Sequence, residues 1–442
     1  MGQVVGIAAV LLLPVAYAIW QRPQRGVLLL LALVPFDGLL LLIDAPGPLA
    51  GWKEALLGGT LLAAVHARGR AGRDTELPGV PLWVWPLAVL AALAVLSVAW
   101  SPPLQALVGL KIMFFGALTA AVVWLCPLTE SDRHHAVTVL ASTGIVVALV
   151  GLGQQFVGHE RLHEMGYAYN SVIRFTGGFM RSWSTFNQPF GFAFFLMVVT
   201  LVAGSVALAD TARLRNRVIL AAVPLFLAGM AVAVVRAAWI GLLAGLIYLA
   251  VTRHRVLLAA APLVLGSVVI ALVMGAAGFF SPPSVDARFS RWQALPAVMS
   301  AAPFGEGIGT AGAAAAKTET IQGGTPTFDP TRVSNNTRVV FQPDNNYVKL
   351  LYELGVIGLG LFVMALLFAL AGTRQAETDA GAGAFASGVS ALIIAAAVAS
   401  LAASFFEIFP LDYVFWLVVG VATTGPIAPA RAPALQRPAI AV

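Results

Sequence analysis

The chain has 442 residues, 59% of them hydrophobic and only 10% charged, with a net charge of +6. An average soluble domain carries roughly 25% charged residues, so a water-facing surface over most of this chain is excluded. The basic excess is spread singly through short connections, which excludes a nucleic-acid groove as its explanation. A lone cysteine, Cys126, excludes both an internal disulfide and a cysteine metal cluster.

Apolar runs of roughly the 20 residues a bilayer requires recur from end to end. They predict spans at 3–20, 26–43, 50–66, 82–100, 104–125, 136–156, 188–209, 218–235, 237–252, 256–279, 346–371, 384–405 and 411–427. Met1–Trp20 lacks a basic n-region and a small-residue cleavage site, so it reads as a retained first span. Lys53 and Glu54 weaken the third span, and the last, after Pro410, is short. The expected architecture is an all-α, polytopic transmembrane helical bundle of 12–13 spans.

Short basic connections such as Arg68–Arg73, Arg213–Arg217 and Arg253–Arg255 belong on the cytoplasmic side. Alternation then places two long connections, 157–187 and 281–345, outside. The chain divides into N-terminal helices (1–156), a first outer loop (157–187), central helices (188–279) with an outer hairpin turning at Arg236, a large ordered outer loop (280–345), C-terminal helices (346–427) and a cytoplasmic tail (428–442).

Several arginines fall on the outer side, against the trend for orienting charges. Arg236 interrupts two membrane-length apolar segments, where an unpaired arginine costs at least ~2.5 kcal/mol. Arg181 lies just outside the helix entered at Asn187-Gln188-Pro189, residues suited to capping it. Arg288, Arg291 and Trp292 fall in a segment with helical spacing, which reads either as an interfacial helix or as part of a phosphate site, since guanidinium groups match phosphate oxygens in pairs. The following PFGEGIG at 303–309 is either a turn or a source of backbone N–H groups for an anion. His159 and His163, four apart, lack a third ligand for a metal.

FQPDNNYVKLLYELGVIGLG at 341–360 crosses from the outer loop into a span. Asp344, Asn345 and Asn346 are all helix-start residues, but one suffices for a cap. Lys349 and Glu353 share a helix face and either pair with each other or meet a substrate.

Four segments in order carry a family resemblance: TFNQPFGFAFF at 185–195, VVRAAWIGLLAG at 234–245, Arg288–Trp292 followed by PFGEGIG, and DNNYVKLLYELGVIGLGLF at 344–362. Together they resemble the bacterial O-antigen ligase and Wzy-type polysaccharide polymerase family, membrane glycosyltransferases of the GT-C class. Asp344 departs from the histidine that ligases usually carry there, which favours the polymerase branch or another glycan transferase. The resemblance implies a glycan donor on undecaprenyl pyrophosphate, a glycan or lipid-A-core hydroxyl as acceptor, inversion at the anomeric carbon, and no metal or cofactor. It places the protein in the bacterial inner membrane with its site on the periplasmic face, with the lipid bilayer but no nucleic acid as partner.

Under this reading Asp344, Arg236 and Arg288 are catalytic, and Arg181, Arg291, Asn345, Asn346, Lys349 and Glu353 bind substrate. Transfer to a protein hydroxyl is an alternative. A lipid-linked-glycan flippase is the competing class, but the chain shows neither internal repeats nor polar helices at the bilayer midplane.

Overall fold

The computed structural model describes residues 13–43, 50–70, 77–169, 172–257, 266, 302–324, 327–328, 339–378 and 382–424. Arg288, Arg291 and Trp292, the expected span 256–279 beyond residue 257, the start of the first expected span, and the tail lie outside the described residues.

The first labelled helix, α1 (Gln24–Leu33), runs on into a 3-10 stretch, Val34–Ile43. There follow α2 (Trp52–Arg70), α3 (Val84–Ser97), α4 (Pro103–Phe114), α5 (Leu118–Leu125), α6 (Glu130–Val157) and the short α7 (His159–Glu164). A hairpin of β1 (Arg174–Thr176) and β2 (Phe179–Arg181) leads into α8 (Pro189–Ala209), α9 (Leu214–Ala233) and α10 (Arg236–Thr252). Beyond the large loop's own helix, α11 (Gly312–Ile321), come α12 (Asn346–Ala376), α13 (Gly383–Ala399), a 3-10 turn at Phe405–Glu407, and α14 (Leu411–Thr423).

The protein is therefore an all-α, polytopic helical protein, as its composition requires. Among the described residues, five helical segments are long and apolar enough to cross a membrane: α1 with its extension, α6, α8, α9 and α12. A sixth is present if α4 and α5, bent by 46° to each other, form one broken span. The span expected as unbroken over 104–125 thus differs in the structure. Its break contains Gly116, whose bare Cα packs against Asp412 of α14, where any side chain would collide. Four further apolar helices, α3, α10, α13 and α14, are shorter than the usual span.

Helix α8 is the hub. Its membrane window is 83% buried, against 39% for α9 and α12, which settles which helix is enclosed by protein. It is apolar all round, as an enclosed helix must be, and packs against α6, α9, α10 and α13. A tight helix hairpin turns at Arg236: α9 ends at a left-handed Val234 (φ 52°) and α10 starts at Arg236. Each arm packs on α8, α9 also on α6 and α10 on α13.

The charges that weakened the third predicted span are accommodated by pairing. Lys53 meets Asp37 at 3.0 Å and Glu54 meets Lys111 at 2.6 Å, while Trp52 Nε1 donates to Asp37 at 2.8 Å. An ion pair replaces two isolated charges, which lowers the cost of placing them at the edge of an apolar bundle.

Candidate active site

The first wall of the site is the β1–β2 hairpin. Its antiparallel register sets Arg174 directly opposite Arg181, and like charges in that position repel. Arg181 is held there because Nε donates to the carbonyl of Ala233 at 3.1 Å, at the C-terminal end of α9 where cations are favoured. Its guanidinium also lies over the ring of Phe190, 5.2 Å from the centroid. Burial, with Arg174 and Arg236 close by, pushes the Arg181 guanidinium down to about 10, so it remains charged at neutral pH. Arg174 is likewise shifted down by burial.

Arg236 is the first residue of α10, and Val235 before it makes no side-chain cap. A cation at a helix N-terminus opposes the helix dipole. Arg181 is within electrostatic range of both Arg174 and Arg236, the latter at a helix start, an arrangement that an anion would stabilise.

The second wall is the entry to α12. Asn345 is the cap: its Oδ1 accepts from Tyr347 N at 2.9 Å and Val348 N at 3.1 Å, and its Nδ2 donates to Leu401 O at 3.0 Å. The cap residue is thus Asn345 and not Asp344. Asp344 holds a left-handed backbone at φ 47°, a conformation that non-glycine residues occupy at a cost of roughly 1–2 kcal/mol.

Two turns further, α12 breaks at Gly355 (φ 66°, ψ −168°). The break frees the carbonyls of Tyr352 and Glu353, which accept from Glu306 N at 2.8 Å and Gly307 N at 2.9 Å. The glycine-rich segment thus docks into the kink, and Gly305 and Gly355 pass so close to the opposing backbone that neither position has room for a Cβ. The N–H groups of that segment do meet an anion, but it is internal. Glu353 Oε1 accepts from Gly309 N and Ala311 N, both at 3.1 Å.

Glu353 Oε2 is 2.6 Å from Lys349 Nζ, and the same ammonium is 3.1 Å from Oε1 of Glu407 in the 3-10 turn. All three side chains are buried, at 4%, 0% and 6% exposure. Two carboxylates thus share one buried ammonium.

Between the two walls opens a cavity of about 350 Å³ lined by Arg174, Gln188, Phe190, Gln342, Asp344, Ser404 and Glu407, with Ala313 and Ala316 of α11. Gln188, at the N-cap position of α8, makes no cap hydrogen bond and faces this cavity.

Of the residues singled out in the sequence, Asp344 lines the cavity, Arg181 adjoins it through Arg174 and Phe190, and Arg236 is within electrostatic range of Arg181. Asn345 and Glu353 are engaged in holding the backbone. Lys349 and Asn346 line a smaller cleft together with Glu407. His159 and His163 are taken up by Tyr169 OH at 3.0 Å and Tyr167 O at 2.9 Å. The sequence reading missed Arg174, Gln188 and Glu407. Glu407 had a signal: it is an isolated acid between two apolar segments at an outer turn.

The O-antigen ligase family model matches residues 197–363, less than half of the chain. That region takes in Arg236, Asp344, Lys349 and Glu353, and stops short of Arg174, Arg181 and Glu407 on either side. A search of curated proteins finds no match.

Proposed function

We propose that this chain, whose residues 197–363 match the O-antigen ligase family model, is a membrane glycan transferase that moves a glycan from a polyprenyl pyrophosphate, undecaprenyl pyrophosphate in bacteria, to a sugar hydroxyl. The observation that carries this reading is the cavity itself. It is lined by Arg174 on one side, with Arg181 opposite Arg174 in the hairpin and Arg236 within electrostatic range of Arg181, and by Asp344, in a left-handed backbone, on the other.

Such a reaction requires charge stabilisation on the departing pyrophosphate and a group that receives or orients the acceptor hydroxyl. At ~4 Å and an effective dielectric near 20, one arginine–phosphate contact is worth about 4 kcal/mol before desolvation. Two or three such contacts neutralise the leaving group without a metal. Arg288, outside the described residues, is a further arginine proposed for the same task. Asp344 is proposed at the acceptor hydroxyl, as base or orienting group. In-line attack by that hydroxyl on the anomeric carbon would invert its configuration. The site faces the outer side of the inner membrane in this reading, where lipid-linked glycans are assembled into surface polysaccharide.

The test is transfer by the purified protein in liposomes supplied with an undecaprenyl-pyrophosphate-linked repeat unit, in EDTA. A ladder of products is expected for a polymerase, and a single shifted product, formed only when a lipid-A-core acceptor is added, for a ligase. Absence of any transfer, or transfer only after a divalent ion is restored, would overturn the reading.

A further inference from the structure

Glu407 meets the cavity from a part of the chain that lies outside the matched family region. Its surroundings differ from those of Glu353, the other carboxylate on Lys349. Glu353 has both oxygens filled, one by two backbone N–H groups and one by the ammonium. Glu407 Oε2 reaches only a 3.5 Å contact with Ala313 N, in the first turn of α11. Its Oε1, although paired in charge with Lys349, has no hydrogen-bond donor aligned on it. Buried acceptors are normally satisfied, and an exception calls for a partner. Glu407 lines both the smaller cleft beside Asn346 and Lys349 and the cavity of about 350 Å³ that it shares with Asp344, and of the two the larger has room for an acceptor.

Resting on the transferase reading above, we infer that Glu407 is a second carboxylate of the site and the one that accepts the proton of the acceptor hydroxyl, while Asp344 orients it. As the acceptor oxygen bonds to the anomeric carbon, the bond from that carbon to the pyrophosphate oxygen breaks. Its electron pair leaves with the lipid pyrophosphate beside the arginines. The hydroxyl proton passes to Glu407, which later returns it to water.

Lys349 is then a positioning residue. It ties Glu407 to Glu353, and Glu353 to the glycine-rich loop, so the proton acceptor is fixed to the same rigid unit as the cavity floor. The charged groups around Glu407 are Lys349 and Glu353 on α12, and Arg174 and Asp344 across the cavity. The neighbouring elements α4, α11 and α14 add Lys111, Lys317 and Asp412.

The experiment compares the wild-type chain with Glu407→Gln, Glu407→Asp and Asp344→Asn in liposomes, using an undecaprenyl-pyrophosphate-linked oligosaccharide as donor. Release of lipid pyrophosphate, donor Kd and melting temperature are read for each. In the wild type kcat rises with pH as the base becomes ionised. Glu407→Gln is expected to melt and bind donor as the wild type does, to lose ~10²-fold in kcat, and to lose the pH-dependent rise. Glu407→Asp keeps the rise at a reduced rate, and Asp344→Asn keeps it too while slowing turnover.

Near-normal kcat in Glu407→Gln, a wild-type profile without the rise, or a rise that disappears in Asp344→Asn and persists in Glu407→Gln would each overturn the assignment. So would loss of folding or donor binding in both Glu407 variants, which marks a structural role. If the wild type itself transfers nothing, the transferase reading falls first and this assignment with it.

Discussion

The repulsion between Arg174 and Arg181 gives the arginine cluster its use and fixes what its loss should do. Removing one charge-stabilising donor costs an enzyme roughly 10²–10³-fold in rate. Arg181→Ala is therefore expected to lower kcat about 10²-fold. Arg181→Lys should recover only part, because an ammonium lacks the planar fork that binds two phosphate oxygens. Arg181 is pushed down to about 10, so its charge is present below that pH and lost above it. Donor binding, followed by titration at several pH values, should stay level across neutral pH and weaken only above about 10; a change near neutrality would point away from Arg181. Asp344 offers a separate test through its backbone. Glycine adopts φ 47° freely, so Asp344→Gly should unfold about 1 kcal/mol less readily than Asp344→Ala while both are inactive. Equal stability of the two variants would show that the left-handed turn stores no strain. These residues were unequally legible. Arg236 stood out because an arginine between two apolar segments is costly, and Asp344 because its span entry carries more polar residues than a cap needs, whereas Arg174 was one of several loop arginines until strand register placed it opposite Arg181.

The break in α12 makes one helix serve two purposes, an anchor in the bundle and a docking edge for the outer loop. Gly355 permits both. Its φ of 66° and ψ of −168° belong to a region open almost solely to glycine, and a Cβ there would strike the carbonyl of Pro303. Gly355→Ala should lose at least ~2 kcal/mol of stability and release the 302–311 segment, seen as new proteolytic cleavage of that loop in outside-out vesicles. Unchanged protection would mean that the loop is held from elsewhere. The sequence showed the glycines on both sides of this contact but not that they face each other, because the pairing joins positions about fifty residues apart and follows from no local pattern. For the same reason the glycine-rich segment read equally as a turn or as N–H groups for an anion, and the anion they hold is the chain's own Glu353.

For the bundle as a membrane protein, the alternation of basic and long connections predicts that the connections 157–187 and 281–345 lie on one face. In a Cys126→Ser background, cysteines at Glu164 and Gln322, both exposed, should react with an impermeant maleimide in intact spheroplasts, and a cysteine at Thr211 should not. Protection of the first two would invert the topology. Class and helical content followed from hydropathy alone, which is why most predicted spans coincide with helices. The broken α4–α5 pair did not follow, since the packing of Gly116 on Asp412 joins segments from opposite ends of the chain.

The triad of Lys349, Glu353 and Glu407 also bears on how the protein is made. Lys349 and Glu353 enter the bilayer together on α12 as a pair one turn apart, so the translocon handles a near-neutral unit rather than two separate charges of ~2.5–3.5 kcal/mol each. Glu407 arrives later, with the turn between α13 and α14. The pocket's final charge is therefore set only when the last helices have been delivered, and a nascent chain stalled before residue 400 would already hold its arginines while lacking its second acid.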